Sequence, residues 1–434
     1  MRKLRELRHH EGMTSDPIAE LQYGILPLFR TRASDMWNWR VVDDYVGGAQ
    51  QGIDELAAAA RVYGAGAVVP YVRKAIASTF RVLMRADDSN GGIQLVIDEL
   101  LGLHARLCLI EPPDAAKLVA WLDAFQFGEA GEYFRIDVID YAIALGVDGL
   151  DRYRRRLARR EAALSQPFVR GPQAYADGDE WAARYTLLHN YRRLAVLDRD
   201  EQQLVALYTG EPEHARDLLE GVDALVEARF PERAIELAHR GMRATGSPFD
   251  QRRCADRWLD LLETQHPSEM RAATEEVFGR WATAAYARRW EATVGAQEWS
   301  GMREAVLDRL RPAPHELIPH LLDAGDAPQA WQEAHRAAEE GRPPSMQLWD
   351  AVVDAYRRHD PAAVLPVMEA QLYELLKVAD TRVYPKAVKR MKELLLTAQA
   401  AGVAEDGERI IRELRQEYRR RPSLIERMDR ARLP

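Results

Sequence analysis

Residues 225–240 read LVEARFPERAIELAHR, and residues 321–336 read LLDAGDAPQAWQEAHR. Leu225, Ala228, Ala234, Ala238, His239 and Arg240 recur, 96 positions on, as Leu321, Ala324, Ala330, Ala334, His335 and Arg336; Glu227 answers to Asp323 and Ile235 to Trp331. Small residues four apart after a short break let one helix sit close against another. A repeated helical hairpin is the simplest source of such an echo. The echo predicts an all-α fold of stacked antiparallel helical hairpins, a TPR/HEAT-like α-solenoid in two helical subdomains. Such arrays mostly build surfaces for partners, and few build catalytic pockets.

Working outward, nearly every segment has helical period. Asp16-Pro17 opens a helix, with Glu20 in its first turn. Residues 53–63 are alanine-rich and stop at Gly64. Val72, Ile76, Phe80 and Leu83 form an apolar stripe over 68–84, and Gly91-Gly92 separates it from a helix ending near Leu109. Pro112-Pro113 breaks the chain before a helix over 114–127, and helices over 135–145 and 149–163 follow. Residues 166–182 hold two prolines and two glycines in their first fourteen positions and show no period, so they read as a linker or crossing loop. The expected organisation is a flexible tail over 1–15, an N-terminal helical domain over 16–165, that linker over 166–182, and a helical-repeat domain over 183–434. In the last region, breaks such as Phe230-Pro231, Pro343-Pro344 and Arg421-Pro422 place Pro at first helical turns, where its missing N–H costs nothing.

A chain of 434 residues exceeds one ordinary core. Its composition, 47% hydrophobic and 29% charged, is that of a globular protein and not a disordered one. The net charge of −8 counts against a dedicated nucleic-acid binder. Seven lysines among 60 basic residues leave 53 arginines scattered over the chain, which fits GC-rich coding better than phosphate recognition. Cys108 and Cys254 both sit in apolar helical patterns, so they predict buried thiols in a reducing cytoplasm. The basic first ten residues lead into no apolar core, and no uncharged run is long enough for a membrane span, so a cytoplasmic protein without secretory signal is expected.

The run Val82–Gly92 with Asp87-Asp88-Ser89-Asn90-Gly91, followed by Leu101–Cys108, resembles a helix–DDSxG–helix element of bacterial helical proteins of unknown function. Ile136–Tyr141, Leu145-Gly146 and Gly149–Tyr153 resemble the same proteins. Trp299–Leu310 with Leu321–Trp331, and the tail Tyr418–Ile425, are similar to the repeats C-terminal to SWIM zinc fingers. The resemblance implies a TPR-like helical region and no activity. A SWIM finger needs a Cys-x-Cys…Cys-x-His set that two isolated cysteines do not supply, so neither its metal nor a nucleic-acid role carries over.

Candidate chemistry is sparse. His315-Glu316 and His320 approach a zinc-protease helix, but histidines five apart lie about 140° apart on a helix, and Pro319 intervenes. Asp87-Asp88-Ser89-Asn90-Gly91 lacks the calcium-loop ligands when Gly91 is set sixth, and reads as a cap and turn, with Asp87, Asp88 and Asn90 kept as candidate partner contacts. Gly64-Ala65-Gly66-Ala67 follows a helix and reads as a C-cap, not a nucleotide loop. Arg152, Arg154, Arg155, Arg156, Arg159 and Arg160 are the densest basic cluster. A solvated helix end whose cations favour the C-terminal dipole explains them first; an electrostatic contact with phosphate or an acidic partner explains them second. Arg152, Arg155, Arg156 and Arg159 are therefore candidate contacts. His239 and His335 are expected to cap or pack against the next helix, and most tryptophans to wedge helices apart. Trp37 and Trp39, two apart, cannot both hide on one helical face, which makes one of them a candidate exposed anchor.

The reading is a non-catalytic interaction scaffold or adaptor whose partner is another protein. A nucleic-acid accessory using the arginine helices is the alternative, and an enzyme with an unrecognised site the third. No catalytic residue, cofactor, metal or membrane contact is expected.

Overall fold

The computed structural model describes residues 19–172 and 180–434. Both segments are helical throughout, and among the described residues the only extended pairing is a single bridge between His214 and Thr245. The all-α expectation holds. Contacts part the chain into two compact units, Met1–Leu261 and Leu262–Pro434.

In the first unit, a π-helical turn Glu20–Ile25 runs into a 3-10 turn Leu26–Phe29. Pro27 has no N–H for the α-helical ladder, so the regular helix expected from Asp16-Pro17 does not continue here; those two residues themselves, and the tail over 1–15, lie outside the described residues. There follow α1 (Trp39–Tyr63), α2 (Ala65–Leu83), α3 (Gly92–Ile110), α4 (Ala115–Gln126), a single turn α5 (Ala130–Tyr133), a 3-10 turn Val138–Tyr141, and α6 (Ala142–Ala162). The helix expected over 135–145 is extended at its start. Asp137 accepts from Ile139 N–H at 2.9 Å and from Arg193 Nε at 2.8 Å, and these bonds hold the strand-like approach. Gly146 then takes φ +62° and breaks α6 near its start. The unit continues with α7 (Trp181–Asp198), α8 (Glu201–Tyr208), α9 (Ala215–Glu227), α10 (Pro231–Arg243) and α11 (Pro248–Gln265), within which the division of the units falls.

The stretch over 166–182, expected as a linker, is flanked on both sides by residues of the first unit. Residues 173–179 are outside the described set, but the helices on either side are joined by a buried polar network. Tyr153 of α6 donates to Asn190 of α7, Gln126 Nε2 of α4 donates to Tyr153 at 2.9 Å, and Asn190 Nδ2 donates to Gln126 Oε1 at 2.6 Å. All three residues are buried, so each bond is worth more than a surface contact and leaving one unmade costs about 1–3 kcal/mol.

The second unit holds a 3-10 turn Pro267–Glu269, then α12 (Met270–Arg280), α13 (Ala284–Glu291), α14 (Ala296–Leu310), α15 (Pro314–Asp323), α16 (Ala327–Glu339), α17 (Met346–Tyr356), α18 (Leu365–Leu376), α19 (Tyr384–Ala400), α20 (Ala404–Glu417) and α21 (Pro422–Arg430). Its C-terminal core gathers Leu372, Leu376, Met391, Leu394, Ile411, Leu414, Leu424 and Met428 from four successive helices.

The sequence echo is a structural repeat. α9–α10 and α15–α16 are helical pairs closed by the same turn: Phe230 N–H donates to Leu225 O at 2.8 Å and Asp326 N–H to Leu321 O at 2.9 Å. Both turns need a left-handed residue, supplied by Arg229 at φ +67° in one and Gly325 at φ +75° in the other. Leu225, Leu321, Ala234, Ala330, Ala238 and Ala334 are all buried. His239 stacks on Trp258 of the next helix, and His335 meets Trp349 of the next helix edge to face.

Candidate functional site

α4 and α6 pack side by side in the first unit. At one end Gly149 allows close approach, since a Cβ there would stand 3.3 Å from that of Ala115. At the other end Asp123, 2% exposed, receives Arg156 Nε and both Arg160 nitrogens at 2.9 Å. Burial disfavours the charged Asp123 carboxyl, but the Arg160 and Arg156 hydrogen bonds and charges outweigh it and hold its pKa below the ordinary value. Between these two clamps lies a cavity of about 310 Å³ lined by Ala116, Val119, Ala120, Arg152, Arg155, Arg156 and Arg159.

The four expected arginines thus converge on one groove. Their spacing, i, i+3, i+4 and i+7, is a stripe along one helical face and does not wrap α6. Arg154 and Arg160 leave the stripe for Asp198 and Asp123. Within it, Arg155 pairs with Asp151 at 2.6 Å and Arg156 with Asp123 at 2.8 Å. Arg152 and Arg159 have no ion pair among the described residues. Sequence reading found these arginines but not their partner wall: Ala116, Val119 and Ala120 repeat at i, i+3, i+4 on α4 and read as ordinary core.

The other candidates fall elsewhere. Asp88 accepts from Ile93 N–H at 2.9 Å and Gln94 N–H at 3.0 Å, and Asp87 binds Ser89, so both serve the cap and turn before α3. Gly91 takes φ +71° there, and Asn90 is exposed. Trp37 and Trp39 are 73% and 60% exposed, so both, not one, face outward, with the Arg40 guanidinium 5.2 Å from the Trp39 ring centre. Gly64 caps α1 as expected, and Gly66 donates its N–H to Glu111 Oε2 at 2.7 Å. Of the basic tail, Arg421 donates to Leu376 O at 2.6 Å and holds structure. His320 is buried and His315 exposed, and among the described residues no cluster of three His, Cys, Asp or Glu side chains is arranged to hold a metal.

One buried polar cluster escaped the sequence. Arg73 Nε donates to His104 Nε2 at 2.9 Å, His104 Nδ1 lies 3.0 Å from the Tyr141 hydroxyl, and Cys108 Sγ is 3.8 Å from the ring. Arg73 cannot accept, so His104 carries its proton on Nδ1 and donates to Tyr141. Burial, then the Arg73 charge, lowers the His104 pKa to about 3, and burial raises the Cys108 thiol to about 11. Arg73 occupies the acceptor nitrogen of this neutral imidazole and Tyr141 its donor, so no ring nitrogen is left to take the Cys108 proton. The i, i+4 spacing of His104 and Cys108 on α3 was the available signal.

No helix among the described residues is long and apolar enough to cross a membrane. No protein-family model matches the chain, and no curated protein matches it. Among solved structures, the chain is similar to a "Circular tandem repeat protein with novel repeat topology and enhanced subunit contact surfaces", with 15% identity over 95% of this chain and 98% of that one, and a TM-score of 0.21.

Proposed function

We propose that the chain is a cytoplasmic, non-catalytic scaffold or adaptor that binds another protein through surfaces of its helical hairpins. The observation that carries this reading is the pairing of a half-neutralised arginine groove with two solvent-facing tryptophans, Trp37 and Trp39, in the same unit. Arginine and tryptophan dominate binding hot spots because each couples a large contact area to a directional polar group. Stacked hairpins suit this use, since each contact is local and the surface is rigid. The likeness of Trp299–Leu310 and Leu321–Trp331 to repeats beside SWIM zinc fingers belongs to the same reading. A nucleic-acid accessory is the second reading, carried by the same groove.

The test is affinity purification with the full chain as bait, followed by reconstitution with the purified captured protein. The expected result is a complex with Kd in the micromolar range or tighter that weakens at least tenfold for Trp37→Ala/Trp39→Ala or for Arg152→Ala/Arg159→Ala. Recovery of nucleic acid with steep salt dependence, and of no protein that rebinds, overturns it in favour of the second reading.

A further inference from the structure

The arginine groove has a chemistry, a length and a floor that together define an occupant. Four like-charged neighbour pairs, 152–155, 152–156, 155–159 and 156–159, run along one face of α6. Such pairs destabilise a helix by about 0.2–0.5 kcal/mol each, so the stripe works against the fold unless an anion covers it. Two of its charges are met within the chain, at Asp151 and Asp123. Arg152 and Arg159 are left, seven residues apart. Seven residues of α-helix rise about 10.5 Å and return to within about 20° of the same direction. A polyproline-II chain has three residues per turn, so residues three apart share a face and lie about 9 Å from one another. Between the two arginines the floor is apolar and small: Ala116, Val119 and Ala120.

We infer that this groove seats an acidic segment of a protein partner in polyproline-II conformation, with two carboxylates three residues apart on Arg152 and Arg159 and a small apolar side chain from between them turned onto the Ala116–Val119–Ala120 floor. The inference rests on the scaffold reading. A guanidinium takes a carboxylate in a two-pronged bond, which fixes register as well as charge. At about 310 Å³ the groove admits side chains of one such segment and not a folded domain. A nucleic-acid strand fits less well: none of the lining residues is aromatic, so the groove offers bases no ring platform. The whole chain also carries −8, which repels a long polyanion while a short acidic segment meets only the local field. The groove is pre-formed, because Gly149 and the Asp123 clamp set the distance between its walls.

Fluorescence anisotropy with the full chain tests this. The probes are labelled octapeptides: one with an Asp-Val-Leu-Asp core, one with Asn-Val-Leu-Asn, and one with the two aspartates adjacent. A labelled 12-nucleotide single-stranded DNA is the fourth. The Asp-Val-Leu-Asp peptide is expected to bind at least tenfold more tightly than either other peptide and than the DNA. Arg152→Ala/Arg159→Ala should lose at least tenfold, and Arg152→Lys/Arg159→Lys should recover part of that, with the far-ultraviolet dichroism of every variant unchanged. Equal binding of the aspartate and asparagine peptides, no binding up to millimolar peptide, or an unaffected double alanine variant overturns the inference. So does DNA binding tighter than peptide that disappears in the double variant, which assigns the groove to nucleic acid. If the captured protein partner binds the double variant like the wild type, the groove inference fails and the scaffold reading stands. If no protein partner exists while the peptide binds as described, the scaffold reading fails alone.

Discussion

Two grooves of similar size, one in each unit, put their charges to opposite uses. The α4–α6 groove is lined by four arginines and no carboxylate. The other, about 240 Å³ among α17, α18 and α19, brings Asp350, Asp354 and Glu393 together with Arg357, Lys386, Lys389 and Arg390. There Arg390 pairs with Asp350, Arg357 with Asp354 at 3.3 Å, and Lys389 with Glu393 at 3.8 Å. A groove that pairs every charge but that of Lys386 has most of its partners already and serves packing. One that leaves Arg152 and Arg159 over keeps two guanidinium groups open to an anion from outside. Concavity alone does not separate the two; the count of unmatched charges does.

The largest effect should come from the residue that makes the first groove possible. Asp123 is buried and holds Arg156 and Arg160, so Asp123→Ala removes three charge-assisted hydrogen bonds and lets the arginine wall drift. Both arginines are partly exposed, at 45% and 40%, and can regain water, which keeps the cost near the low end for a broken buried pair, about 3 kcal/mol. The sign of its pH dependence follows from its lowered pKa. The unfolded chain takes up this proton near pH 3.9, the folded chain only at lower pH. The contribution is therefore full above about pH 4 and is lost as pH falls through the folded value. Urea unfolding of wild type and Asp123→Ala should show a gap at pH 7 that narrows at pH 3. A gap below 1 kcal/mol at pH 7, or one constant with pH, breaks the picture of a clamp.

The second groove should answer to structural tests only. Arg390 is 12% exposed and joins α19 to Asp350 of α17, with a further bond to Gln371 of α18 at 3.4 Å. Arg390→Met keeps most of the apolar stem and loses the pairing, for about 1.5 kcal/mol in the same unfolding experiment. It should leave every peptide affinity of the first groove unchanged. A change in those affinities would dissolve the distinction between a packing groove and a docking groove.

How much of this the sequence discloses depends on what kind of signal a residue leaves. Helices were legible because apolar spacing reports them directly: Val72, Ile76 and Phe80 are all buried on α2. The repeat was legible because Leu225 and Leu321 fill equivalent core positions. Its turn was half legible, since Gly325 announces a left-handed cap and Arg229, in the same conformation, does not. That strain, about 1 kcal/mol, is tolerated because the flanking backbone bonds fix the turn. The division between the two units left no signal, since it falls inside the regular helix α11. The arginines of the site were named from density alone. What sequence could not supply is the facing wall, because Ala116, Val119 and Ala120 look like any buried stripe until a second helix stands opposite. The Arg73–His104–Tyr141 cluster was invisible for the same reason, being drawn from separate elements.

The smallest expected effect is the most telling for the comparison. Arg152 and Arg159 have no ion pair among the described residues, so removing them should hardly touch stability. Arg152→Ala relieves two like-charge neighbours, at about 0.2–0.5 kcal/mol each, and alanine is slightly the better helix former. It should therefore stabilise α6 by a few tenths of a kcal/mol. Arg159 lies in the last turn, where a cation gains about 0.3–1 kcal/mol from the helix dipole. That gain offsets the repulsion it relieves, and Arg159→Ala should come out near zero. Raising the salt to 0.5 M shortens the screening length to roughly 4 Å and should erase the difference between the two variants. If either substitution instead costs more than 1 kcal/mol, the arginine concerned has a partner inside the fold, and the first groove becomes a second instance of the other kind.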